Sequence, residues 1–363
     1  MTSEPQAPAR GPQWWIYRGV GVPHRGIEEL PEAPAWRRFD GARRTSADHA
    51  ALPEPPPEPA DGATARRLGR TGQAAAAADD NEVHLVNLAL HLRRPLLVTG
   101  KPGVGKSTLP YAVAHELQLG PVLKWPITSR STLRDGLYSY DAIGRLHDAG
   151  IRSGTSVVEQ RLNRRTAPDI GHYLRLGPLG TALLPWRYPR VLLIDEIDKG
   201  DIDLPNDLLN VFEEGEFEIP ELARLGTGAQ KVMTADPHRM ATVTAGTVRC
   251  AQFPLVILTS NAEREFPSAF LRRCLRLEMS AASPKRLRAL VEAHLREDGA
   301  TPWAGMDEAM DELIEEFTRR QNEEGADLAN DQLLSALLMA GRGLWPQNRR
   351  LVENVLLRPM NQG

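Results

Sequence analysis

The sequence predicts an α/β fold, an open five-stranded parallel sheet covered by helices on both faces and followed by a small all-helical subdomain. Three observations carry this. Short apolar runs recur between helical patterns, one of them breaks into a glycine-rich turn that opens a helix, and the strand pattern stops near residue 280. With 363 residues and 41% hydrophobic content the chain can build a substantial core, which suits two folded units and a tail. The expected division is an N-terminal extension over residues 1–67, an α/β domain over 68–279 and a helical lid over 280–363.

Composition excludes several classes before any motif is read. A formal net charge of -3 gives no broad basic field of the kind that nucleic acid or an anionic membrane attracts, so direct nucleic-acid binding is not expected. Only Cys250 and Cys274 are present, in no zinc or disulfide spacing. A reducing, cytoplasmic setting fits them best. The N-terminus lacks a signal-peptide pattern, and no apolar run approaches the ~20 residues that span a bilayer, so neither export nor membrane insertion is expected.

Taken in order, "PQWWIYRGVGVPHRGIEELPEAPAWRRF" is rich in Trp, Pro and Arg, and "PEPPPEPADGATA" reads as an extended linker. Trp14, Trp15 and Trp36 therefore need a surface, and the body of the same chain is the first expectation. A docking tail for another subunit or protein is the alternative. "AAAAADDNEVHLVNLALHLRR" has the period of a helix that Pro95 should end, and its His84 and His91 read as packing or surface side chains rather than metal ligands. "PLLVTG" then forms a buried strand, and "KSTLPYAVAHELQLG" an amphipathic helix closed by Gly120. Further strands are expected at "PVLKW", at "RVLLID" ending in Asp195, at "FPLVILTSN" ending in Asn261, and at "CLRLEM" around Leu277. The lid opens with Ser283 as N-cap and Pro284 in the first turn, and continues through "MDELIEEFTRR" and "NDQLLSALLMAG".

The turn after the first strand matches G-x-x-x-x-G-K-[ST] at Gly100, Gly105, Lys106 and Ser107. In such a loop, whose body here is Pro102, Gly103, Val104 and Gly105, the glycines let consecutive backbone N–H groups face phosphate oxygens, Lys106 places charge on the β and γ phosphates, and Ser107 ligates Mg²⁺, with Thr108 completing the loop. Asp195 and Glu196 end a buried strand, which sets one carboxylate toward the Mg²⁺ and the next beside the γ-phosphate as base or orienter of water. Asn261 ends another strand and can bond both water and phosphate without opposing the metal.

In this order, the Gly100 to Thr108 loop, "LLIDE", "LTSN" and "FPSAFLRRC", followed by a helical lid, resemble an AAA+ ATPase, and most nearly the MoxR-type family of the helix-2-insert clade, over roughly Leu68 to Pro359. The resemblance implies a P-loop NTPase αβα sandwich binding ATP and Mg²⁺, with Lys106 to Thr108 as Walker A, Asp195 and Glu196 as Walker B and Asn261 as sensor 1. It implies an arginine finger at Arg273, or at its neighbour Arg272, presented to the next subunit of a homo-oligomeric, hexameric ring. It also implies chaperone-like remodelling of a partner, for MoxR-like proteins one containing a von Willebrand factor type A domain. Two features fit the clade. Roughly 60 residues separate the strand near Trp125 from the one at Val191, more than one crossover needs. The runs "EGEFEIPELARLG" and "MATVTAGTVRC" suit a hairpin before sensor 1. One feature departs from it. Where a lid arginine is expected stand Asn330, Asp331 and Gln332, leaving Arg342 and Arg349 as unassigned substitutes.

Two other classes stand beside this reading. One is the ATPase subunit of a DNA-linked defence system, and the other a slow nucleotide-gated switch or scaffold. No NKxD sequence follows the loop to read guanine, which sets a GTPase aside.

Overall fold

The computed structural model describes residues 11–39, 41, 52–59, 62–69, 78–153, 169–226, 228–295, 307–322 and 328–341. Among these residues run eleven strands: β1 (Leu96–Thr99), β2 (Leu123–Pro126), β3 (Tyr138–Tyr140), β4 (Leu174–Leu176), β5 (Val191–Asp195), β6 (Glu216–Glu218), β7 (Ala229–Met233), β8 (Met240–Thr244), β9 (Thr247–Arg249), β10 (Leu255–Ser260) and β11 (Leu275–Glu278). They form two sheets. The larger-scale frame is the parallel sheet in the order β11-β1-β10-β5-β2, made of the five strands read from the sequence.

Their burial explains why they were legible. Every residue of β5 and β10 is buried, as strands covered on both faces by crossover helices must be. The chain leaves β1 for the far edge at β2, returns through β5 and β10, then passes to the other side of β1. The order in which strands are added therefore reverses around β1, where α/β sheets leave a crevice at the carboxyl ends of their strands. The register places Thr99 opposite Ser260 and sets Leu258 opposite Ile194, so the ends of β1, β10 and β5 converge.

The helix Asp80–Leu92 starts at Asp79, whose side chain accepts the Asn81 N–H. It ends three residues before Pro95, the residue expected to stop it. Arg93 adopts a left-handed conformation with φ of 54°, and its buried guanidinium donates to the carbonyls of Leu90, His91 and Pro31. A charged side chain thus satisfies the carbonyls that a helix end leaves unpaired. Burial pulls the Arg93 pKa down to about 10.

The long connection from β2 to β5 and the segment before β10 build one structure. Together they supply the second sheet, ordered β3-β4-β7-β8-β9-β6 and antiparallel except where β4 meets β7. The expected hairpin exists, but its first strand is β7. The run "EGEFEIPELARLG" instead gives β6 and the short helix Pro220–Ala223, because Pro220 has no N–H for a ladder and sits well in a first helical turn. Tyr138 is buried and its hydroxyl donates to Glu221, so it is a packing residue of this sheet.

A buried ion pair fastens the second sheet to the first. Arg190, directly before β5, meets Asp236 in the β7–β8 turn through two bonds of 2.8 Å, with both side chains almost wholly shielded. The guanidinium also donates to Pro121 O and lies over the Trp186 ring. Removing one partner of such a pair strands the other charge, so Asp236→Ala is expected to cost ~3–5 kcal/mol of stability. Urea unfolding checks this, and a loss below ~1 kcal/mol would show that the pair is a bystander.

The N-terminal segment is anchored to the body. Ile16 and Tyr17 donate their N–H groups to Asn87, and four consecutive N–H groups, from Arg18 to Gly21, converge at 2.6–3.1 Å on the fully buried carboxylate of Glu116. Trp15 is buried in the core beside Val83 and Val86. Trp14 lies edge-on to His84 and His91, which serve as packing partners. Trp36 departs from the expectation of a common surface, since its side chain is 82% exposed. The proline stretch runs along the body, with Arg187 N donating to Pro53 O, and leads into a helix, Ala63–Leu68.

The helices Pro284–Leu295, Asp307–Asn322 and Asn330–Gly341 share a separate core around Leu287, Val291, Ile314, Phe317 and Leu333. Ser283 accepts the Arg286 N–H, as an N-cap should. Arg342, Arg349 and Pro359 lie outside the described residues. No helix among the described residues is long and apolar enough to cross a membrane. Cys250 and Cys274 are buried and unpaired, and burial pushes the Cys274 thiol up to about 12, so neither is a ready nucleophile.

Candidate functional site

The glycine loop follows β1 and opens the helical run through a tight Lys106–Thr108 turn into Leu109–Glu116. Gly103 and Gly105 take φ of 78° and 98°, which side chains rarely adopt, and a Cβ on Gly103 would strike Ala329 of the lid. The loop is thereby kept narrow. A cavity of about 470 Å³ opens over it, lined by Pro102 to Thr108, Glu196, Thr259 and Asn261 from the sheet side and by Leu287, His294 and Asn330 from the lid. That volume suits a nucleotide-sized ligand.

Beneath the loop the Lys106 ammonium is largely buried and donates to Gly100 O at 2.7 Å, Lys101 O at 2.8 Å and Asn261 Oδ1 at 2.8 Å. Burial lowers its pKa, against the pull of Asp198, Glu196 and Asp195. The ammonium is therefore held where the ends of β1 and β10 meet. Gly100 contributes a carbonyl here and does not line the cavity.

At the end of β5, Asp195 Oδ1 accepts the hydroxyls of Ser107 at 2.6 Å and Thr259 at 2.8 Å, and Oδ2 pairs with Lys124 at 2.8 Å. Burial works to raise the Asp195 carboxyl, but these donors outweigh it and hold the group below its usual value. A hydroxyl and a carboxylate side by side are hard oxygen donors, and together they fit part of a Mg²⁺ shell that phosphate oxygens would complete. No cluster of three or more His, Cys, Asp or Glu among the described residues could hold a metal by itself.

Glu196 adopts a left-handed conformation, φ 61° and ψ 51°, an arrangement costing ~1–3 kcal/mol in a non-glycine residue. Its N–H donates to Thr259 Oγ1, and its carboxylate pairs with Lys199 at 2.9 Å. The strained backbone turns Glu196 toward the cavity that it lines. Asp198 is buried and accepts the N–H groups of Asn261 and Glu263, fixing the turn that carries Asn261, while its Oδ1 has no partner among the described residues.

Arg272 and Arg273 lie elsewhere. They end the helix Ser268–Arg273 and line a different cleft with Trp36, Arg37, Arg94 and Glu213. Arg273 Nε donates to Glu213 Oε1 at 2.6 Å, and Arg94 donates to the backbone carbonyls of both arginines. Within one chain neither reaches the cavity at the glycine loop.

At the cavity the sequence reading missed Lys124, Asp198, Lys199 and Thr259, and also Arg67 and Arg286, and in the cleft of Arg272 and Arg273 it missed Arg94. Asp198 and Lys199 had a signal, since they follow Asp195 at three and four positions. Lys124 and Arg94 act across strands and helices far apart in sequence, and no local pattern marks them.

Residues 95–274 match the family model of the AAA domain (dynein-related subfamily). None of the curated proteins matches the chain. Among solved structures, that of C. elegans PCH-2 is similar at 14% identity and a TM-score of 0.33, over 72% of this chain and 59% of that one.

Proposed function

We propose that this AAA domain, residues 95–274, binds and hydrolyses ATP with Mg²⁺, and that the chain works as a subunit of a hexameric ring of MoxR type. In this reading, the ring remodels or matures a partner protein, one carrying a von Willebrand factor type A domain. The observation that carries the ATPase reading is the meeting of Ser107 and Asp195 at 2.6 Å beside the ammonium of Lys106. Three strand ends converge there, on a glycine loop that admits phosphates.

Each residue has a defined task. When phosphates enter, Lys106 exchanges its carbonyl partners for phosphate oxygens, and the loop N–H groups bond the rest. Mg²⁺, held by Ser107 and Asp195, supplies positive charge to the phosphates in transfer. Glu196 leaves Lys199 and orients or deprotonates the attacking water, and Asn261 holds that water against the γ-phosphate. Arg273 of a neighbouring subunit adds positive charge to the transition state from outside its own site. Asn330 fits the place of the lid sensor. Its N–H reaches Gly103 O at 3.3 Å, and its buried Oδ1 has no partner among the described residues.

Calorimetric titration with ATP tests the premise. Wild type should bind it, and Lys106→Ala should lose at least ~100-fold in affinity, because a charge-assisted contact to phosphate is removed from a buried site. Equal binding by both proteins would sink the phosphate-site reading.

A further inference from the structure

We propose that Lys124 is a positioning residue that stands in the cation's place at Asp195 in the metal-free protein and competes with Mg²⁺ for that carboxylate. The inference rests on the nucleotide-site reading above and adds a residue to it. Lys124 lies on β2, the edge strand, where side chains alternate between buried and exposed. Edge strands often carry lysine, with its charge in solvent as protection against pairing. Lys124 does otherwise. Its ammonium crosses to β5 and ends 2.8 Å from Asp195 Oδ2, while Ser107 and Thr259 occupy Oδ1.

The consequence follows from charge. The Asp195 side chain is only 11% exposed, so its negative charge needs a counter-ion whether or not a nucleotide is bound. Without metal, Lys124 supplies it, and also shields arriving phosphates from a bare carboxylate. A divalent cation at Ser107 and Asp195 would sit beside this ammonium, and like charges at such range repel strongly in a poorly solvated place. Mg²⁺ must therefore displace Lys124. The lysine side chain is already 35% exposed, so water is at hand to receive it. Metal and ammonium are then linked reciprocally, each weakening the other at one carboxylate.

Two measurements on the full chain test this, with ADP as the nucleotide. In wild type, acetylation of Lys124 by an amine reagent, read by mass spectrometry, should be low in ADP with EDTA and rise several-fold when Mg²⁺ is added. In the second, Mn²⁺ replaces Mg²⁺ so that free metal can be counted by its paramagnetic resonance. Lys124→Met should bind Mn²⁺ in the ADP complex at least about fivefold more tightly than wild type, yet bind ADP in EDTA more weakly. Lys124→Arg keeps the charge and should return both values toward wild type. A purely structural brace would weaken both. Labelling indifferent to Mg²⁺, or Mn²⁺ affinity unchanged or reduced in Lys124→Met, would overturn the proposal. Failure of wild type to bind ADP at all would instead bring down the nucleotide site itself, and this inference with it.

Discussion

Glu196→Gln is expected to bind ATP as wild type does and to hydrolyse it at least ~100-fold more slowly, the usual scale for a lost general base. The substitution keeps the shape of the side chain and its hydrogen-bonding capacity, but it removes the carboxylate that takes or orients the proton of water. Binding should be spared, because in the proposed site the phosphate contacts fall to Lys106 and the loop N–H groups, and the metal contacts to Ser107 and Asp195. The left-handed backbone of Glu196, held by its N–H to Thr259, does not depend on the carboxylate. Single-turnover hydrolysis with saturating ATP separates the two effects. A variant that turns over at the wild-type rate would remove Glu196 from the chemistry and leave Asp198, the other acidic group next to the sensor strand, to be tried in its place.

Arg273→Ala should lower turnover further, by ~10³ or more, the range in which an arginine supplied to phosphoryl transfer acts. Its own chain gives the reason to look outward. Arg273 and Glu213 are each about half exposed, and exposed pairs are worth ~0–1 kcal/mol, so Glu213 yields the guanidinium cheaply to a phosphate of the neighbouring subunit. Arg272→Ala should be milder, because the structure gives its backbone carbonyl, rather than its side chain, a bond to Arg94. Steady-state ATPase assays of both variants at one high protein concentration decide between them. If Arg272→Ala is the more damaging, the two assignments exchange.

The parts of the fold that were legible are those whose cause is local. β5 and β10 announce themselves because burial on both faces demands an unbroken apolar run, and the glycine loop because its glycines must take positive φ. Asp195, Glu196 and Asn261 follow from position alone, at the ends of such runs. The second sheet was not legible as a sheet. Its β4 and β7 meet across Arg175 and Met233, and no turn or period connects residues so far apart. Glu116 reads as an ordinary helix residue, although its buried carboxylate gathers the N–H groups of Arg18 to Gly21. Trp36 shows the converse error. Three tryptophans share one composition, but only Trp14 and Trp15 meet the helix Asp80–Leu92, and the third stands beside Arg272 and Arg273.

The account turns on an active site shared between subunits, and ATP turnover per subunit measured against protein concentration tests it most directly. The rate should climb with concentration to a plateau in wild type, and Arg273→Ala should flatten the curve near its lowest value while still binding ATP. A rate per subunit that is constant from the most dilute sample upward, and unchanged by Arg273→Ala, would contradict the shared site and leave a glycine loop that works alone, as a slow switch would.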